Sequence, residues 1–308
     1  MTLTRSVVTQ QSTSSRRKRR PKDDDSDVLD RLSTTPWQRF SKHLLICLIG
    51  VIMLYPLLWL LSASIKPDAD IFRDLSLIPK EFDFTHYGDA WNALSQPFHV
   101  FLLNSLLIAV LSIVGNLISC AMAAFAFSRL EFRGRKLFFG LMLGTLMLPA
   151  QVLLVPQYIL FSQLGWLNTY LPLIVPTFLA TNAFFVFLMV QFMRALPKEL
   201  DDAARIDGCG SFGIFFRIVV PLCKPAFATT AIFTFISSWN EFFGPLLYLT
   251  DPQLYTVPLA LSQFMNAEGM SSWGQVFAMS VIALAPVVGF FFVGQKHLVQ
   301  GIATTGLK

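Results

Sequence analysis

Charge is scarce in this sequence, and cysteine and histidine are scarcer still. Only 14% of the 308 residues are Asp, Glu, Lys or Arg, whereas soluble domains carry roughly a quarter. An ordinary soluble domain is excluded on that ground. The four cysteines, Cys47, Cys120, Cys209 and Cys223, form no CxxC pair. Free, mostly buried thiols are expected of them, and neither a zinc ribbon nor a disulfide framework. The four histidines, His43, His86, His99 and His297, lie far apart in the sequence. They assemble into no catalytic set and no metal site, so no enzymatic activity of the chain's own is expected. The phosphate-cradling pattern GxxxxGK[ST] is missing too. The C-terminal "GIATTGLK" imitates it, but Leu307 follows Gly306 where the pattern needs lysine. No nucleotide or other cofactor is expected on this chain. Its first forty residues contain no apolar core, so no secretory leader is expected either.

What the sequence does have is hydrocarbon. Apolar residues make up 54% of it, several in runs beyond the ~18 residues that mark a membrane-spanning helix. The fold class that follows is an all-α integral membrane protein. Six spans are expected. They are Leu44–Ser64, kinked at Pro56; Val100–Phe127; a third from Leu137, broken by Pro149 and Pro156; Tyr170–Met193; Ala226–Leu249; and Val276–Gln295, with Pro286 and Gly289 inside it.

The net charge of +5 is concentrated in one place. Residues 1–42 hold ten Lys and Arg against five Asp, while the rest balances at fourteen of each sign. Residues 1–40, with "SSRRKRRPKDDDSD" at their heart, read as a disordered basic tail with too few apolar residues to fold. Beside six spans, such a tail points to anionic lipid, and no nucleic-acid partner is expected. Lys and Arg also orient spans, because cytoplasmic loops carry them in excess. "SRLEFRGRK" at 128–136 carries four and Arg194–Lys224 five, whereas residues 66–97 carry three and the loops 162–169 and 250–275 none. Both termini, and the Arg194–Lys224 segment, are therefore expected in the cytoplasm. Residues 41–308 would form one six-span membrane domain.

Small residues recur every four positions at Gly115, Ser119 and Ala123, and again at Gly140 and Gly144. Such stripes let helices approach closely in lipid. The main polar island is "PKELDDAARIDGCGSFGIFFRIVVP". Pro197 suits a first helical position. Glu199, Asp201 and Asp202 sit where the helix dipole favours acids, and Gly208 can take the left-handed conformation that ends a helix. A short helix over Pro197–Asp207 is expected, with Asp201 and Asp202 solvated at its start. Ser211 would cap a second helix running to Pro221. Leu200, Ala203 and Ala204 share a face, where small methyls leave a patch another protein can approach.

These residues resemble a known pattern: EAA, three residues, Gly, nine residues, Ile-x-Leu-Pro. Here Asp202-Ala203-Ala204 precedes Arg205-Ile206-Asp207 and Gly208, and Cys209–Arg217 leads to Ile218-Val219-Val220-Pro221. Asp202 stands for Glu and Val220 for Leu. The pattern belongs to permease subunits of binding-protein-dependent ABC importers. "NSLLIA", "AFAFSRLEFRGRK", "SSWNEFFGPLLYLT" and "GQKHLVQGIATTGLK" narrow the resemblance to the maltose-type carbohydrate permeases, over about residues 40–308.

The resemblance implies a bacterial-type plasma (inner) membrane and a cytoplasmic coupling helix between spans four and five that docks on an ATPase. Leu200, Asp202, Ala203, Ala204, Gly208, Ile218 and Pro221 would make that coupling. The implied partners are a second permease subunit, two cytoplasmic ATPase subunits that use the ATP, and an extracellular sugar-binding protein. Asn240 and Glu241 lie at the outer part of span five. An acid there is either a substrate contact, since sugars need acceptors along their path, or a structural polar contact. Asn104, Asn116 and Asn182 are weaker candidates for the same path. An importer for glycerol phosphate or another small polar solute is the alternative. A secondary transporter is a more distant one, because it needs no coupling helix.

Overall fold

The computed structural model describes residues 36–266 and 273–305. The expected basic tail up to residue 35 lies outside them. The chain divides into two units between Pro56 and Leu57. Among the described residues the regular structure is helical, with fourteen α-helices, two short 3-10 turns and one π turn joined by loops.

Helix α1 (Pro36–Ala63) contains Pro56. α2 (Thr85–Trp91) follows a long loop, and α3 (Phe98–Arg129) runs 32 residues without a proline. At ~1.5 Å per residue, α3 is about 48 Å long. Gly134, at φ +86°, turns the chain into α4 (Arg135–Thr145), and α5 (Ala150–Gln163) begins after Pro149. Next come α6 (Leu171–Ile174), α7 (Ala183–Ala195), α8 (Glu199–Ile206), α9 (Ser211–Ile214) and α10 (Val220–Leu222). The last four are α11 (Lys224–Trp239), α12 (Phe243–Tyr248), α13 (Val257–Asn266) and α14 (Trp273–Thr305).

Four stretches are long and apolar enough to cross a membrane: Phe40–Ala63, Phe98–Arg129, Leu171–Ala195 and Trp273–Gln295. A fifth arises if Ser211–Leu222 and Lys224–Trp239, which meet at 76°, count as one broken span. The expected third span is split differently. α4 and α5 have 11 and 14 residues, each short of the ~20 a crossing needs. The expected fourth span is interrupted. Pro176 lies in a 3-10 turn at Val175–Leu179, Ala180 takes φ 53°, and the Asn182 side chain caps α7 by accepting from Phe185 N–H. The expected fifth span stops at Trp239, and α12 is a separate short helix.

Within residues 57–308, α3 packs along α7 and α11, α11 packs on α14, and α14 meets α2. Lipid is as apolar as leucine, so helices here gain little from hiding apolar surface and instead need close fit. Gly115 supplies it. A β-carbon there would meet the Thr177 hydroxyl and lie 2.8 Å from the Phe178 ring. One turn on, Ser119 Oγ donates to the Thr177 carbonyl at 2.7 Å. A β-carbon added at Gly140 or Gly144 would meet nothing within 4 Å among the described residues.

The two ends of α3 differ. At its start, Asn104 Nδ2 donates to the Gln253 and Tyr255 carbonyls, and Ser105 Oγ accepts from Val257 N–H. The loop 64–84 belongs to a polar layer there. Lys66 is fully buried and donates to the Asp74 and Ser76 carbonyls, while His86 Nε2 donates to the Lys66 carbonyl at 2.9 Å. The Asp83 carboxyl accepts from the Thr85 hydroxyl and N–H, and those two bonds hold its pKa below the usual carboxylate value. At its far end, α3 meets α8, and the nearby segments carry Arg129, Arg133, Arg135, Lys136, Arg194, Lys198 and Arg205.

Candidate functional site

The polar island folds at that basic end. α8 starts with Glu199, Asp201 and Asp202 in its first turn, and the backbone of Asp201 and Asp202 bonds back to the Lys198 carbonyl. Lys198 is the N-cap, so Pro197 lies just before the helix and not within it. Gly208 takes φ +81°, a region L-residues enter only with strain. Its N–H bonds to the Arg205 carbonyl at 3.0 Å, and the next N–H, of Cys209, reaches the Ala204 carbonyl. Ser211 is the first residue of α9 and makes no side-chain cap; Gly210 precedes it as N-cap. The second helix passes through a π turn at Phe215–Val219 before ending at Leu222. Cys223 then marks the 76° bend, flanked by Pro221 and Pro225, whose missing N–H groups favour a break.

α8 has two faces. Asp201 and Ala204 point inward, and Ala204, 7% exposed, belongs to a core with Cys120, Met193, Ile214 and Val219. This corrects the expectation that Ala204 belongs to an outward patch with Leu200 and Ala203. It also corrects the expectation of a solvated Asp201, which is buried against Arg129 at 3.2 Å. Outward stand Leu200, Asp202, Ala203 and Ile206, the last 88% exposed. The Arg205–Asp202 pair on this face, at 3.6 Å, is solvated, and such pairs stabilise by ~0.5 kcal/mol or less.

A second feature lies between the ends. A cavity of about 190 Å³ is lined by Ser112 and Asn116 of α3, Thr177 and Asn182 at the break in the fourth span, Thr234, Ser237 and Ser238 of α11, and Glu241. Apolar spans surround it, so its hydroxyls and amides are the conspicuous polar groups. Asn116 Nδ2 donates to Thr234 Oγ1 at 3.3 Å. Glu241 Oε1 accepts from Gly244 N–H at 2.9 Å and so starts α12. The Thr256 hydroxyl also faces the cavity and has no hydrogen-bond partner among the described residues.

The family model for the binding-protein-dependent transport system inner membrane component matches residues 115–304. That is more than half of the chain. The chain belongs to this family of permeases. It is 37% identical over 254 residues to the probable ABC transporter permease protein YurM of Bacillus subtilis (strain 168), covering 82% of this chain and 83% of that one. It is 33% identical over 273 residues to the arabinooligosaccharides transport system permease protein AraQ of the same strain, covering 88% and 96%. A solved chain of a bacterial ABC transporter for import of the acidic polysaccharide alginate has the same fold, with TM-score 0.75, 24% identity, and coverage of 85% of this chain and 98% of that one.

In the permease, the residues expected on the substrate path separate. Asn116, Asn182 and Glu241 line the cavity. Asn104 and Asn240 do not. Asn104 clamps the loop before α13, and Asn240 Nδ2 donates to the Ile236 carbonyl at the end of α11. Of the residues expected in coupling, Ile218 is half-buried against the core in the π turn and Pro221 is exposed. Thr177, Ser237 and Ser238 were missed as cavity residues, because a lone hydroxyl in an apolar run carries no signal by itself. Arg129 was missed because it read as one of four loop cations. Gly208→Pro is expected to lower ATPase recovered per permease while membrane levels hold. Proline fixes φ near −65° and removes the N–H to Arg205. Normal recovery in a pull-down would show that the turn at Gly208 is dispensable.

Proposed function

We propose that this permease is the transmembrane subunit of an ATP-driven, binding-protein-dependent importer of a sugar or oligosaccharide. The observation that carries the reading is the polar cavity inside the apolar helices of a chain in this family. A neutral polyhydroxylated solute needs hydroxyl and amide partners along a path through lipid, since an unmet polar group in an apolar medium costs several kcal/mol. Asn116, Asn182, Ser237 and Glu241 offer donors and acceptors there. The acidic, outward face of α8 fits the role of a docking surface for a cytoplasmic ATPase, with Asp202, Ala203 and Ile206 foremost.

In this reading the domain spans residues 41–308 and crosses six times, α4 and α5 together supplying the remaining passage. Both termini lie in the cytoplasm with the basic loops. ATP is bound and hydrolysed by two partner ATPase subunits, not by this chain. A second permease subunit completes the path, and a sugar-binding protein delivers the solute outside.

Two experiments test it. Proteoliposomes holding the four-component complex are expected to take up one or more members of a sugar panel, dependent on ATP and on the binding protein. Uptake that persists without ATP would instead indicate a secondary transporter. For topology, Cys209 is partly exposed while Cys120 and Cys223 are buried. A membrane-impermeant maleimide should therefore label Cys209 in inside-out vesicles and leave it unlabelled in intact cells.

A further inference from the structure

We propose that Arg129 and Asp201 form a latch that carries movement of α8 into the two helices lining the polar cavity, a role that rests on the import reading above. Arg129 is the last residue of α3, and its side chain is 3% exposed. Its Nη1 lies 3.2 Å from Asp201 Oδ2, and its Nη2 donates to the Met193 carbonyl at 2.7 Å and the Leu196 carbonyl at 2.9 Å. One guanidinium thus holds the end of α3, the end of α7 and the first turn of α8. Around it, Ser128 Oγ contacts Met193 Sδ, and Arg135 Nη1 closes on the Leu130 carbonyl.

Stability does not account for this arrangement. A buried ion pair must offset the cost of stripping water from both charges, and it does so only when its remaining polar atoms are satisfied. Here Arg129 Nε and Asp201 Oδ1 make no hydrogen bond among the described residues. What the pair supplies is direction: a planar, rigid fork fixes three elements at set angles. Position gives that direction a use. α3 carries Arg129 at one end and the cavity residues Asn116 and Ser112 further up the same unbroken helix. α7 runs from Asn182, at the cavity, to the Met193 carbonyl, at the latch. At ~1.5 Å per residue both levers are about 15–20 Å long. A push on α8 therefore reaches the cavity walls through two stiff rods joined at one residue. The inward face of α8 also packs through Ala204, but that contact is apolar and can slide, whereas the charged fork cannot.

These are positioning residues, and the test reads coupling directly. Ser237→Cys places a thiol on the cavity wall. The complete complex, with its ATPase and second permease, is treated with an impermeant maleimide with and without ATP plus vanadate, and labelling at position 237 is read by mass spectrometry. The unmodified latch is expected to give a ratio several-fold from unity. Adding Asp201→Asn should bring the ratio to unity while the ATPase still co-purifies and hydrolyses ATP. Adding Asp201→Glu, which keeps the charge, should restore most of the response. The ratio is a property of each molecule, so reduced yield does not alter it. A normal ratio in Asp201→Asn, or the same ratio in the Asn and Glu variants, overturns the latch. No nucleotide response in the complex with Ser237→Cys alone overturns instead the import reading on which the latch depends.

Discussion

Replacing Gly115 by leucine is expected to lower the amount of permease in the membrane fraction several-fold. The first side-chain carbon would strike the Thr177 hydroxyl and approach two atoms of the Phe178 ring to 2.8 and 2.9 Å. Phe178 is 41% exposed and can swing away, but Thr177 cannot step aside freely. Thr177 donates to the Ile174 carbonyl at 2.7 Å, and its own carbonyl accepts from Ser119 Oγ. Overpacking of this kind costs ~1–3 kcal/mol, and a clash with a hydrogen-bonded turn lies at the upper end. Since folded domains are stable by only about 5–15 kcal/mol, a loss of this size lowers abundance steeply. Gly140→Leu is the control, because a β-carbon added there would meet nothing within 4 Å among the described residues. Immunoblots of washed membranes should show the Gly140 variant at normal level and the Gly115 variant several-fold below it. Any Gly115 variant that survives should also fail in uptake, since moving Thr177 reshapes the cavity. Equal levels of the two variants would mean that α3 does not need close approach to the fourth span.

The same pair of glycines shows what a single sequence can and cannot disclose. In sequence the Gly115 and Gly140 stripes look alike, each a four-residue repeat in an apolar run. Only at Gly115 would a β-carbon meet a neighbour among the described residues, and that neighbour is set by tertiary packing. The strong periodic signals were legible: α3, the Leu171–Ala195 stretch and the Trp273–Gln295 part of α14 all lie within a few residues of their expected spans. The turn at Gly208 was legible as well, because glycine's freedom at positive φ is a local property. The break in the fourth span was not. Pro176, Ala180 and Asn182 each tolerate a continuous reading, and the interruption is visible only where the three act together. The latch was illegible for another reason. Charge counting assigned Arg129 to a side of the membrane and Asp201 to a helix dipole, both sound local readings. Neither says that the two meet when α3 and α7 pack side by side. The cavity draws its residues from α3, α7, α11 and the turn between α6 and α7, so no window of the sequence contains it.

Ala203 and Ala204 are neighbours in sequence with the same side chain, and arginine at the two positions is expected to give opposite failures. Ala203 is exposed on the face that carries Leu200, Asp202 and Ile206. If α8 docks on the ATPase as proposed, its small side chains bring it close to the groove, and arginine there holds it away. At ~1–3 kcal/mol for the misfit, binding of an ATPase weakens by roughly ten- to hundredfold. The permease itself loses nothing, because the added chain extends into water. Ala204 is turned inward, 7% exposed, among Cys120, Met193 and Ile214. Arginine there has no room, and its charge enters an apolar core that contains no acid among the described residues. An unpaired charge buried in this way costs several kcal/mol, so Ala204→Arg should first lower the amount of permease. The two quantities to measure are permease per membrane and ATPase recovered per permease. Ala203→Arg should lower the second with the first intact, and Ala204→Arg should lower the first. If both variants lower only ATPase recovery, Ala204 faces the partner and the inward face of α8 is wrongly assigned; if both lower only abundance, α8 is a structural element of the membrane domain and ATPase docking must be sought elsewhere on the basic end.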